Sequence, residues 1–312
     1  MNYHLSYRLL LLLAALLATC AAGCPRRSGT AVQVDMREGR AVDDLRKALG
    51  AGAAGKTEAV AAAEPTGFAT LKGTFKLVGT APARKTLSVN KDQAICMPGG
   101  KPVLAEELLV DASGGIKDVV IFCMNKMPAD DPKWVHPDWA ATKTSVVEFD
   151  QKNCVFLTHM LAVRTTQPVL LKNSDPTSHN ANIVPKGKAL GGNFLIPPGS
   201  SSNYLAGGES PEPYDISCNV HPWMSAKLLT RDNPIFAVTK PDGSFEIKNV
   251  PAGVPLDFKV WQEATKFMQN VKLDGKAAKW PKGKLSLKDK DILKPGETRT
   301  LEVTVDESVI AR

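Results

Sequence analysis

The chain has 312 residues, 43% of them hydrophobic and 23% charged, with 24 Gly and 22 Pro, a balance that excludes a disordered or collagen-like chain. Lys and Arg number 39 against 32 Asp and Glu, and this diffuse excess of +7 gives no footprint for nucleic acid. Only 5 His are present, His4 at the very start, too few for an oxidase built on several copper centres.

The N-terminus reads as export machinery. Arg8 precedes an unbroken apolar run, Leu9 to Ala18, and then Thr19-Cys20-Ala21-Ala22-Gly23-Cys24. The run is too short to span a bilayer and matches a signal-peptide core, so residues 1–23 are expected to be a signal peptide. The small residues before Cys24 resemble a bacterial lipoprotein box, with Cys24 as the lipidated first residue of the mature chain. Cys20 is the weaker candidate because Thr19 precedes it, and plain cleavage to a soluble product stays open. Either route predicts an exported protein of the cell envelope or periplasm, where disulfides form. Residues 24–66 are rich in Ala, Gly and charge, with a short helix over 41–49 stopped by Gly50, and read as a flexible tether.

From Phe68 onward the pattern is β. Leu71, Phe75 and Leu77 mark a first strand. Leu108 to Val110, the turn 111–115 and Ile116 to Cys123 read as a hairpin, followed by a long connection over 129–144. A second cluster of strands covers 146–149, 154–163, 169–173, 203–205, 214–218 and 226–230. In a third, period-two runs pair Phe236 with Val238, Phe245 with Ile247, Phe258 with Val260, and Leu301 with Val303 and Val305. The expected fold is all-β, with β modules over 67–144, 145–231 and 232–312.

The middle module holds the chemistry. Cys218-Asn219-Val220-His221-Pro222-Trp223-Met224 stands at a strand end, and Asn173-Ser174-Asp175-Pro176-Thr177-Ser178-His179-Asn180 places a second His 39 residues before Cys218. One thiolate, two imidazoles and a thioether suit a copper ion that shuttles between oxidation states, since sulfur favours Cu(I) and imidazole serves both. Tyr214, Ile216 and Cys218 share one strand face, so Cys218 is expected to point inward. His221 and Met224 follow on a short loop stiffened by Pro222.

These residues resemble the cupredoxin (small blue copper protein) family, and the Cys-x2-His-Pro-x-Met loop is similar to that of amicyanin. The resemblance covers roughly 145–231. It implies a Greek-key sandwich with one type 1 copper site, His179, Cys218 and His221 as equatorial ligands and Met224 as the axial one. Asn180, and with it Asn173, would hold the Cys loop and the His segment in place. Electrons would enter at the His221 edge, beside Pro222 and Trp223. Trp223 widens that apolar patch if exposed and is packing if buried. The run Asp242 to Gly253 is similar to the signature of a carboxypeptidase regulatory-like β-sandwich, placing the copper unit within an exported bacterial multidomain protein.

Several residues carry competing readings. Four cysteines follow the leader, and with Cys218 on the metal a disulfide between Cys96 and Cys154 is expected, joining the first module to the second. Cys123 shares a face with Val119 and Ile121 and suits a buried thiol; with Met124 and Met127 it is an alternative Cu(I) trio. His159, on an apolar strand face, reads as a hydrogen-bonded core residue or as a neighbour of the copper. His136 reads as exposed. Residues 266–294 hold nine Lys and three Asp, either a dock for an acidic partner or a solvated sheet edge kept from aggregating.

The leading functional expectation is a membrane-tethered, one-electron copper protein serving an unidentified redox partner protein, and not a catalyst. No nucleophile–base pair, phosphate loop or open zinc motif is present in the sequence. The alternatives are an envelope copper-handling protein, and an adhesion or polysaccharide-binding module with an incidental metal site.

Overall fold

The strand Gly67–Val78 shows why these residues form a sheet: Ala69, Leu71, Phe75 and Leu77 are buried while Lys72 and Lys76 face solvent. The computed structural model describes residues 63–128 and 130–310. The leader, Cys20, Cys24 and the tether up to residue 62 lie outside the described residues. The class expected from the sequence is observed: strands dominate, in four sheets, with only short helical turns between them among the described residues.

Two of the sheets form one sandwich. The first runs Ser244–Ala252, Gly67–Val78, Thr298–Asp306, Asn270–Leu273, Lys276–Lys279. The second runs Phe236–Val238, Val120–Cys123, Leu256–Gln262, Lys266–Phe267, with Lys284–Leu287 also on Leu256–Gln262. Leu71, Phe75, Ile121, Phe245, Ile247, Phe258, Val260, Leu301 and Val303 fill the space between them.

This corrects the expectation of separate modules over 67–144 and 232–312. Gly67–Val78 pairs antiparallel with Ser244–Ala252 and parallel with Thr298–Asp306. Val120–Cys123 lies between Phe236–Val238 and Leu256–Gln262. The physical reason is supply: 67–144 contributes two strands of the described sheets, too few to bury an apolar face alone, so both enter the sheets of the C-terminal segment.

The middle segment is a second sandwich. One sheet is ordered Met160–Arg164, Ser225–Arg231, Tyr214–Ser217, His179–Val184, Gly192–Ile196; the other Val155–Phe156, Val147–Lys152, Val169–Asn173, Ser201–Tyr204. The expected strand over 154–163 is two strands, because the chain crosses between the sheets at Leu157, Thr158 and His159. Phe149, Phe156, Leu171, Ile183, Ile196, Tyr214 and Ile216 form the core, and Cys218 and Met224 belong to it. Val120, Phe122 and Trp261 meet Met160 and Leu229 in a small cluster linking the two sandwiches.

Candidate metal centre

Local sequence sets the loop. In Tyr214–Ser217 the inward residues are Tyr214 and Ile216, and Cys218 follows in the same phase, 2% exposed. The amide of Met224 donates to the carbonyl of His221 at 2.9 Å, and that of Cys218 to the carbonyl of Met224 at 3.3 Å, so the ends of the loop lie side by side with Pro222 exposed at its turn. His179 opens the strand His179–Val184, which pairs with Tyr214–Ser217. The run before it is tied by Asn173, whose amide donates to the carbonyls of Thr177 at 2.8 Å and Ile196 at 2.9 Å while its oxygen accepts from the Asp175 amide at 3.0 Å.

Three of the expected ligands converge. The Nδ1 atoms of His179 and His221 are 2.9 Å apart, and the Cys218 sulfur is 3.9 Å from His179 Nδ1. One donor atom from each of His179, Cys218 and His221 lies within 4.8 Å of the others, all buried. The far nitrogens meet carboxylates: His179 Nε2 is 2.8 Å from Asp175 Oδ2, and His221 Nε2 is 2.8 Å from Asp92 Oδ2. A neutral imidazole whose Nε2–H donates to a carboxylate presents a lone pair at Nδ1. Burial holds the His179 imidazole below its usual range, with the neighbouring His221 adding to the effect against the opposing Asp175, so it stays neutral near pH 7. With both Nε2 atoms turned to carboxylates, the two Nδ1 atoms face one point beside the Cys218 sulfur, a point that a shared proton or a cation can occupy. The residues therefore fit a soft-to-borderline metal ion held by two Nδ1 atoms and a sulfur.

The surroundings fix the position of the Cys218 sulfur. The Cys218 sulfur accepts from the amides of Asn180 at 3.5 Å and His221 at 3.4 Å. Asn180 Oδ1 accepts from the Cys218 thiol at 3.4 Å and from the amides of Asn219 at 2.7 Å and Val220 at 3.2 Å, while its Nδ2 donates to Asn193 and Asn219. Asn180 thus pins the loop to the His strand. Met224 is 1% exposed in the same core, where the loop closure brings its backbone beside that of Cys218.

Other expected residues fall elsewhere. His159 is buried, yet its nitrogens face Glu263 and Glu106 and not the metal group. Of the two readings of His159 the hydrogen-bonded core residue is the one observed, and its place among the residues around the copper is corrected: the strand crossing turns its ring toward Glu263 and Glu106, with which it lines a cavity of about 140 Å³ that Trp223 and Met224 also reach. The open His221 edge is also corrected. His221 is 0% exposed because Asp92 covers its distal nitrogen, and Trp223 is half-buried, its indole N–H donating to the Cys154 carbonyl at 3.2 Å. Cys96 and Cys154 form the expected disulfide. Cys123 is a buried thiol pushed by desolvation to about 12, as the buried-thiol reading expects, and Met124 and Met127 are partly buried and pack against the apolar clusters. His136 packs edge-on against Phe68 with its ring 30% exposed. Lys276 and Lys279 are exposed on an edge strand, as the solvated-edge reading of 266–294 expects.

Sequence reasoning missed Asp175 and Asp92. Asp175 stood within the noted run, four residues before His179, a spacing that is itself a signal. Asp92 gave only a faint one, four residues before Cys96.

No family model and no curated protein matches the chain. Among solved structures, a reduced Cu(I) form of an amicyanin variant at pH 4 is similar at 22% identity and TM-score 0.24, over 28% of this chain and 82% of that one. Amicyanin from Paracoccus versutus is similar at 20% identity and TM-score 0.24, over 36% and 97%. A copper-containing nitrite reductase from Thermus scotoductus is similar at 15% identity and TM-score 0.25, over 27% of this chain and 22% of its own. Overlaps this partial assign no chemistry; the side chains above carry it.

Proposed function

We propose that the protein is an exported copper protein with one mononuclear site, held by His179, Cys218 and His221 with Met224 as the fourth donor, and that it works in one-electron transfer in the cell envelope. The observation that supports this most is the facing pair of Nδ1 atoms, 2.9 Å apart, each imidazole being held from behind by a carboxylate. Bound there, copper supplies a one-electron couple whose potential the thiolate and thioether tune. The chain's part is to keep four donors fixed and dry, so that little rearranges when the charge changes. A full donor set leaves no position for a substrate, which favours a carrier over a catalyst.

Attachment through a lipid on Cys24, the tether over 24–66 and an unidentified redox partner protein complete the reading. Among the described residues no helix is long and apolar enough to cross a membrane. The run Asp242 to Gly253 supports a regulatory-like sandwich, completed here by strands from 67–144. The buried edge of His221 favours a second reading, copper handling in the envelope with the metal stored until that edge opens, because a closed edge slows electron exchange with a partner.

The test is addition of Cu(II) to the mature protein. An intense visible thiolate-to-copper band, lost in Cys218→Ser, is expected; a colourless complex refutes the proposal. Slow redox cycling with ready transfer of Cu(I) to an acceptor selects the handling reading.

A further inference from the structure

The segment that reaches His221 comes from outside the middle sandwich and is fastened onto it. Asp92 adopts the left-handed conformation, φ 51° and ψ 32°, which few L-residues tolerate and in which Asn and Asp are enriched. There its carbonyl receives the amides of Ile95 and Cys96, both at 2.9 Å, starting the turn Gln93–Cys96, while its carboxylate is left facing His221 Nε2 at 2.8 Å. Val89 and Cys96 are buried in the core of the middle sandwich, with Ile95 and Met97 packed against it.

The disulfide closes a ring of contacts around both imidazoles. Cys96 is bonded to Cys154, and sulfur atoms of both lie within 4.8 Å of a His221 nitrogen. The Cys154 amide donates to Asp175 Oδ2 at 2.8 Å, the same oxygen that meets His179 Nε2. The Cys154 carbonyl accepts from Trp223, whose ring stands 5.1 Å from that of His221. Asp92, the disulfide and Trp223 thus pack around His221, where an exposed imidazole edge was expected, and Asp175 links Cys154 to His179.

We propose that Asp92 is a positioning residue for His221, and that 89–97, fastened by Cys96–Cys154, is a cover over the distal edge of the metal centre. Ligand exchange, metal transfer and contact with a partner at that edge then require the cover to lift. The link to copper rests on the proposed function; the closure of His221 does not, and it is tested without metal.

The experiment uses the full mature chain without added metal, treated with diethyl pyrocarbonate and read histidine by histidine by peptide mass spectrometry. His136, with a ring 30% exposed, is the internal reference. In the parent chain His221 is expected to react at least about tenfold more slowly than His136. Asp92→Ala raises the His221 rate about tenfold and leaves that of His136 unchanged, whereas Asp92→Asn, whose amide oxygen still accepts from Nε2–H, restores protection. Cys96→Ser/Cys154→Ser behaves as Asp92→Ala does, with the strand signal in circular dichroism retained. An unchanged His221 rate in both Asp92→Ala and the double variant overturns the cover, as does a joint rise at both histidines, which marks general loosening. With copper bound, removal by a chelator is expected to run about tenfold faster in Asp92→Ala. If no copper binds, the proposed function fails while the histidine reactivities still decide the cover.

Discussion

Asp175→Asn tests the tautomer argument on which the metal centre depends. Asp175 is 4% exposed and acts only as an acceptor: its Oδ1 takes the Asn153 amide at 2.6 Å, and its Oδ2 takes the Cys154 amide at 2.8 Å and faces His179 Nε2 at 2.8 Å. An amide has one accepting end. With its oxygen toward Asn153, its NH2 meets Cys154 N–H and His179 Nε2, and the ring can accept only by moving its proton to Nδ1. That proton then points at His221 Nδ1, 2.9 Å away, where the metal must sit. Turning the amide over sets its NH2 against Asn153 N–H instead. Each orientation leaves at least one buried donor facing another, at a cost of about 1–3 kcal/mol. Loss of the carboxylate behind a metal-binding His lowers affinity by about 10–100-fold. The assay is a Cu(II) titration against a competing chelator, read from the visible band, with thermal unfolding in parallel. Asp175→Asn should bind more weakly with only a moderate fall in melting temperature. Wild-type affinity and spectrum in a folded Asp175→Asn would refute the carboxylate–imidazole logic, and with it the assignment of Nδ1 as the donor.

Three further outcomes are expected. Burial pushes the Glu263 carboxyl up, but hydrogen bonds from His159 and Lys227 outweigh it and bring it from 4.5 down to about 2. A folded value below the unfolded one gives stability that is complete above about pH 4.5 and is lost as pH falls toward about 2, about 1–3 kcal/mol after screening. Urea unfolding near neutrality and near pH 3 should therefore show a smaller acid loss in Glu263→Gln; an equal loss counts against the cluster. Cys123, raised by desolvation to about 12, should resist iodoacetamide at mildly alkaline pH until the protein unfolds, and modification in the native state, read by peptide mass spectrometry, contradicts its burial. Gly243 has φ +76°, and a Cβ there would stand 2.3 Å from the Phe75 carbonyl oxygen and 2.9 Å from the Ile116 nitrogen, so Gly243→Ala should lower stability by about 2 kcal/mol or more in chemical denaturation.

What was legible in the sequence was what short-range chemistry writes down. Alternation put Tyr214, Ile216 and Cys218 on one strand face, and the loop to Met224 followed, because a period of two survives any tertiary context that buries one side of a sheet. With Cys218 assigned to the metal three cysteines remained, and the strand face of Cys123 made Cys96 and Cys154 the pair to expect, as found. Long-range pairing was not legible. Gly67–Val78 lies parallel to Thr298–Asp306 across most of the chain, and nothing in either run names its neighbour. His159 was legible in part for the same reason: its apolar flanks mark a buried, hydrogen-bonded residue, as observed, but only the crossing between sheets decides that its partner is Glu263.

The acceptors behind the two imidazoles divide along the same line. Asp175 is four residues from His179, so that contact is written in local spacing, while the amides of Asn153 and Cys154 that it also accepts lie 22 and 21 residues upstream and are not. Asp92 is 129 residues from His221, and the disulfide four residues further on, with the packing of Val89, Ile95 and Met97, holds it there. A residue placed by a distant covalent tie leaves no periodic trace, yet it reverses a functional expectation, turning an open imidazole edge into a closed one. Where a disulfide lands beside candidate metal ligands, then, the polar residues within a turn of each cysteine are the ones to test as contacts of the site.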